Sequence, residues 1–173
     1  RPIQSYINIV SIENRNVYKH ILDILWARIA EPAPILFFYK GHNLLHSLTY
    51  AEIWKWSWAW KNWISQNTKD ELVIISLPTG PDFVGALFGS MMAGKIPVPI
   101  VSKDLAAQTD YDSYLEKIIL KTHSSFVINR PFATTVDHPN IQQQKLDNNF
   151  ESPLNPIALV QFSSGSTSEP KGL

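Results

Sequence analysis

Residues 72–101 read LVIISLPTGPDFVGALFGSMMAGKIPVPIV, and the fold turns on this stretch. Its opening, LVIISLP, is an unbroken apolar run, the pattern of a strand buried on both faces rather than one with a wet side. Gly80-Pro81-Asp82 then starts a helix. Proline fits the first helical position because its missing N–H would have no partner there, and the acid complements the positive helix end. Gly94 closes the helix, since glycine adopts the left-handed conformation that stops it. Gly85, Gly89 and Ala93 fall on one helical face, which predicts a helix lying close on a sheet. IPVPIV is the second strand, and Pro97 and Pro99 confine it to an end or edge position because they cannot donate to a ladder.

The same alternation continues downstream. Residues 111–122 (YDSYLEKIILKT) form a helix with Tyr114, Leu115, Ile118 and Ile119 inward. SFVIN is a short strand, and residues 130–155, rich in Pro, Asn, Gln and Asp, are an irregular surface connection. IALVQF at 157–162 reads as a buried-type strand running into the last loop. Strand and helix in turn predict an α/β fold with helices packed on a largely parallel sheet and right-handed crossovers. Such sheets bind ligands beyond the carboxyl ends of their strands.

Upstream, residues 16–30 (NVYKHILDILWARIA) place Val17, Ile21, Ile24, Leu25 and Ile29 on one helical face, with Pro32 and Pro34 stopping the helix. ILFFYKGHNLLHSL forms a hairpin around Gly41-His42-Asn43. His42 and His46 have no further ligands near them in a recognised metal spacing and are read as ordinary polar positions. TYAEIWKWSWAWKNWI alternates its tryptophans like a strand, yet Thr49-x-x-Glu52 is a capping box with Leu48 and Ile53 as its staple. We read a helix: Ile53, Trp56, Trp60, Trp63 and Ile64 share one face, and Trp54 and Trp58 lie on a second, partly exposed one. Without a basic groove beside it, this aromatic stripe is core packing rather than a stacking platform for bases.

Composition removes several classes of function. Fifteen basic residues balance fifteen acidic ones, so no net field draws the chain to nucleic acid or an anionic membrane. The hydrophobic fraction of 45% suits a packed core. No apolar run is long enough for a membrane span. With no cysteine there is neither a disulfide framework nor a thiolate metal site, and a reducing, cytoplasmic setting is expected.

The chain ends on SSGSTSEPKGL. A Walker loop needs Gly-x4-Gly-Lys-Ser/Thr; four residues after Gly165 come Pro170, Lys171 and Gly172, so this is not one. The parts of a phosphate cradle are nevertheless present. Gly165 permits close backbone approach, Ser164, Ser166 and Thr167 offer hydroxyls, and Lys171 adds a point charge. A plain flexible Ser/Gly/Pro loop is the alternative, and the ordered placement of hydroxyls, glycine, proline and lysine favours the cradle.

ALVQFSSGSTSEPKGL resembles the phosphate-binding signature of the adenylate-forming (AMP-binding) superfamily: acyl-CoA synthetases, fatty acyl-AMP ligases and the adenylation domains of peptide synthetases. SLTYAEI (47–53) resembles that family's early Leu-Thr-Tyr-x-Glu-Leu motif, and MMAGKIPVPI (91–100) its Ala-Gly-x4-Pro segment. The resemblance covers about residues 45–173 and is strongest to the fatty acyl-AMP ligase branch. It implies ATP-dependent activation of a carboxylic acid, such as a fatty acid, to an acyl-adenylate with release of pyrophosphate, followed by transfer to a carrier protein or CoA. By the same resemblance Ser163, Ser164, Gly165, Ser166, Thr167, Lys171 and Gly172 hold the phosphates of ATP, with Thr167 a contact for Mg²⁺ through them. Ser168 stands where the family usually has glycine; at a positive φ a serine costs on the order of 1 kcal/mol.

The family's adenine pocket, ribose-binding acid, Mg²⁺-binding glutamate, hinge and lid lysine all follow this loop. No catalytic residue is therefore expected within residues 1–173, which read as the N-terminal fragment of the AMP-binding large domain, inactive alone. Three alternatives stay open: a stand-alone, degenerate nucleotide-binding domain; a scaffold presenting Trp54 and Trp58 to a partner; and, within the family, an amino-acid or aryl-acid adenylation domain.

Overall fold

A strand without a polar face needs cover on both sides, and β3 (Leu72–Ile75) receives it. The computed structural model describes residues 18–104, 110–132, 155, 157–163 and 171–172, with backbone alone at 163, 171 and 172. In it β3 is the centre of a three-stranded parallel sheet, between β4 (Ile96–Pro99) and β5 (Val127–Ile128). Helix α3 (Pro81–Met92) links β3 to β4, and α4 (Tyr111–Thr122) carries the chain back across β3 to β5. The two crossovers run in opposite directions, so right-handed connections put their helices on opposite faces. The core follows: Val73 and Ile75 pack with Ala86 of α3, and Ile74, Val98 and Ile100 pack with Ile118 of α4. The edge position read from Pro97 and Pro99 is the one β4 occupies within this sheet.

A second helix, α2 (Tyr50–Asn67), lies on α3. Its capping box is formed: Thr49 Oγ1 accepts from Glu52 N at 3.2 Å, and Glu52 Oε2 accepts from Thr49 N at 2.8 Å. Leu48 and Ile53, the staple, are buried in one cluster. The small-residue face of α3 serves α2 rather than the sheet, which corrects the sequence reading. A Cβ on Gly85 would come within 2.6 Å of Trp60 Cδ1, and one on Gly89 within 2.7 Å of the Ser57 carbonyl oxygen. The glycines make room for a tryptophan-bearing helix, whose bulk the sheet alone does not impose.

Two further expectations change. Trp54 is 4% exposed, with its ring centroid 4.9 Å from that of Trp26, so it belongs to the core; only Trp58 is half-exposed, under Lys61 Nζ at 4.1 Å. An eighteen-residue helix that touches both the first helix of the chain and α3 buries a wider arc than one stripe. The first helix, α1 (Ile21–Ala27), is shorter than residues 16–30 and turns Leu22 and Leu25 inward, leaving Ile21 41% exposed. His20 caps it, Nδ1 accepting from Leu22 N at 3.1 Å while Asp23 accepts from His20 N at 2.9 Å. Residues 16 and 17 lie outside the described residues.

The hairpin forms as read, β1 (Leu36–Lys40) against β2 (Asn43–Leu48), turning at Gly41 with φ +61°. Glycine at the first position of a two-residue turn supplies a left-handed φ without a Cβ clash. Among the described residues no helix is long and apolar enough to cross a membrane.

Residues 157–162 depart most from expectation. They run along the outer edge of β4, yet only Phe162–Ser163 (β6) is regular strand, and Ile157 and Leu159 are exposed. Val160 N donates to the Pro97 carbonyl at 3.0 Å. In a parallel ladder the Val160 carbonyl would next accept from the N–H of residue 99, which is proline. The prolines that hold β4 at the edge thus deny its neighbour a full ladder.

Candidate functional site

Three things converge where the parallel strands end: the N-termini of α3 and α4, and the strap that leads to the terminal loop. Beyond β3, Ser76 stays in the ladder through Ser76 N donating to the Ile128 carbonyl at 2.8 Å. Its buried hydroxyl meets Tyr111 Oη and the Val101 carbonyl, the latter at 3.3 Å, which ties the first turn of α4 to the sheet. Lys103 Nζ adds a surface contact to Asp112 at 3.3 Å. Burial pushes the Tyr114 phenol above its ordinary value, and Tyr111 beside it adds to the shift. Ser102, just past β4, is buried, with an Oγ that has no hydrogen-bond partner among the described residues.

In the first turn of α3 the Asp82 carboxylate is engaged. Asp82 Oδ1 accepts from Trp60 Nε1 at 3.1 Å and from Phe132 N at 3.4 Å, while the Phe132 ring lies 4.0 Å from that of Trp60. This carboxylate clamps α2, α3 and the chain leaving β5 together.

Val160 and Phe162 pack in the cluster of Val98, Ile100 and Ile118, which directs the strap along β4 toward its carboxyl end. There β6 pairs antiparallel with β7 (Lys171–Gly172), Phe162 opposite Gly172 and Ser163 opposite Lys171. Of the residues read as phosphate contacts, Ser163, Lys171 and Gly172 are therefore brought together by backbone pairing. Ser164, Gly165, Ser166 and Thr167 lie outside the described residues, as does Ser168. Among the described residues no three His, Asp or Glu side chains gather as metal ligands; His42 sits in the hairpin turn and His46 opposite Phe38.

The sequence reading passed over Ser76, Ser102 and Tyr111, and took Asp82 only as the acid in the first turn of α3. A signal existed for two of them. Ser76 and Ser102 are the first polar residues after the apolar runs of β3 and β4, the points where a buried strand reaches a ligand-binding edge.

No family model matches the chain, and no curated protein matches it in sequence. Solved structures do match. The fatty acyl-adenylate ligase from L. pneumophila, in complex with acyl adenylate and pyrophosphate, is 19% identical over 88% of this chain with a TM-score of 0.64. A fatty acyl-adenylate ligase structure from work on the E. coli and L. pneumophila enzymes is 23% identical over 91%, with a TM-score of 0.66. The Klebsiella oxytoca NpsA N-terminal subdomain, in complex with 3-hydroxyanthranilyl-AMSN, is 20% identical over 90%, with a TM-score of 0.60. The chain spans 29%, 32% and 40% of those three structures respectively. Its fold is that of the N-terminal part of the adenylate-forming ligases.

Proposed function

We propose that this chain supplies the ATP-phosphate grip of a ligase that activates a carboxylic acid as its adenylate. The observation that carries the reading is the β6–β7 pairing, which sets Ser163 against Lys171 at the carboxyl end of a parallel sheet. The donor set between them suits a triphosphate: hydroxyls, a glycine and backbone N–H groups, with one lysine charge and no carboxylate to repel the anion until Glu169. Within this chain Mg²⁺ would be held through the phosphates, with the Thr167 hydroxyl as a contact; among the described residues no three His, Asp or Glu side chains gather as a cage. Bound there, it spreads the charge of the polyphosphate.

The chain's residues act by holding. Lys171 and the hydroxyls of Ser163, Ser164, Ser166 and Thr167 bind the β- and γ-phosphates, while Gly165 and Gly172 let the backbone approach. A carboxylate oxygen of the substrate attacks the α-phosphorus, the bond to the β-phosphate breaks, and its electron pair leaves on pyrophosphate. Fixing the departing phosphates stabilises the charge that develops on them. The acyl group then passes to a carrier-protein phosphopantetheine or to CoA. A fatty acid is the substrate we favour, from the sequence resemblance and the fatty acyl-adenylate ligases among the similar structures. Use of ATP and the absence of cysteine suit the cytoplasm.

The test is carboxylate-dependent exchange of labelled pyrophosphate into ATP by the cellular polypeptide that carries this chain, over a panel of fatty, aryl and amino acids. Exchange with fatty acids supports the reading, and exchange with aryl or amino acids alone moves the protein to another branch. ATP binding without exchange leaves a nucleotide-binding domain. Residues 1–173 alone are expected to give no exchange.

A further inference from the structure

The first turn of α4 is tied to the sheet by a phenol. Asp110, its N-cap residue, makes no side-chain bond to the helix end, and the Lys103–Asp112 pair lies on the surface, where an ion pair adds little. Tyr111 makes the stronger attachment. Ser76 Oγ donates its one hydrogen to the Val101 carbonyl at 3.3 Å, so in the bond with Tyr111 the serine accepts and the phenol donates. Two hydroxyls thus run from α4 through the end of β3 to the chain leaving β4. Ser76 is 3% exposed, so bulk water does not readily replace a lost partner there.

What α4 carries from that anchor is a wall for the strap. Tyr114, Leu115 and Ile118 follow Tyr111 at helical spacing and so share its face. Ile118 is buried with Val98 and Ile100, and Tyr114, Leu115, Val160 and Phe162 pack against the same cluster. The prolines of β4 deny the strap a full ladder, so its path depends on this apolar packing as well as on the bond from Val160 N to the Pro97 carbonyl. The strap continues into β6, which pairs with β7 and sets residue 163 opposite 171.

We propose that Tyr111 is a positioning residue for the phosphate grip. By pinning α4 to the end of β3, its phenol fixes the wall along which Val160 and Phe162 lead the chain to β6. This rests on the ligase reading above. A grip displaced by a fraction of an ångström still forms, but it holds the phosphates less well.

The test compares the wild-type cellular polypeptide with Tyr111→Phe, which keeps the ring and removes only the hydroxyl, with Ser76→Ala, and with the double variant. Gly89→Ala, which crowds the α2–α3 contact instead, is the control for general loosening. The readouts are the ligand-free thermal midpoint, its shift on adding MgATP, and KM and kcat for ATP in pyrophosphate exchange. In Tyr111→Phe the ATP-induced shift is expected to shrink and KM to rise roughly three- to tenfold, the worth of one hydrogen bond, with kcat changed less than about twofold. The double variant is expected to be no worse than Ser76→Ala, because two changes at one bond do not add. Gly89→Ala is expected to lower the ligand-free midpoint and leave KM alone. A wild-type KM in Tyr111→Phe overturns the assignment. So does an equal rise in Gly89→Ala, or a double variant in which the two single effects multiply. A wild-type protein with neither shift nor exchange removes the ligase reading itself, and this assignment with it.

Discussion

Ser124 is a polar node that ties two strands of the sheet together. Its hydroxyl lies 2.7 Å from the Leu72 carbonyl and 3.1 Å from Asp70 Oδ2, and it accepts from Phe126 N at 3.3 Å. One side chain thus joins the start of β3 to the approach of β5. Ser124→Ala leaves a part-buried carbonyl and an amide short of a partner, and we expect it to cost about 1–3 kcal/mol in denaturant unfolding. A loss under 0.5 kcal/mol contradicts this. Tyr114 gives a pH signature instead. Its raised phenol pKa means that the folded chain holds this proton more tightly than the unfolded one. The stability so conferred is complete below the unfolded value of about 10 and is lost as pH rises through the folded value. In alkaline unfolding, Tyr114→Phe is predicted to lose less stability between neutral pH and pH above 10 than the wild type. Equal losses show that Tyr114 contributes nothing to the alkaline limb.

Among elements, the α2–α3 contact is the tightest, because glycine removes the atoms that would keep the helices apart. Gly89→Ala puts a Cβ within 2.7 Å of the Ser57 carbonyl and 2.9 Å of Lys61 N, backbone that has nowhere to move. Overpacking of this kind outweighs alanine's gain in helix propensity, and the predicted loss is about 1–3 kcal/mol, read from the shift in unfolding midpoint. Stabilisation would show that the helices separate freely. The elements most legible in sequence carried their own punctuation: Thr49 and Glu52 at the start of α2, Pro81 and Gly94 around α3, Gly41 in the hairpin. What each helix packs against was less legible. Spacing identified Gly85 and Gly89 as a close-contact face but assigned it to the sheet instead of α2, since the partner is chosen by the whole fold. Likewise Trp54 reads as peripheral until Trp26 of α1 closes over it.

For the molecule as a whole, the prolines of β4 link fold to site. Their presence was plain in sequence, and so was the edge position. Their effect on the adjacent segment was not, because it depends on which strand lies alongside: IALVQF is apolar enough for a buried strand, yet Pro99 withholds the N–H that would pair it. The proposed phosphate loop was read from residue order and from the resemblance, and its residues 164–170 lie outside the described residues, whereas Ser76, Asp82 and Ser102 gain meaning only where the sheet brings strand ends and helix starts together. On the function proposed above, the loop closed by β6 and β7 grips the phosphates of ATP. Fatty-acid-dependent pyrophosphate exchange by the cellular polypeptide, wild type against Lys171→Ala, tests it most directly. Loss of a charged hydrogen-bond donor to phosphate predicts a KM for ATP raised roughly ten- to a hundredfold, with the ligand-free unfolding midpoint unchanged. Exchange with the same KM for ATP in both proteins would contradict the account.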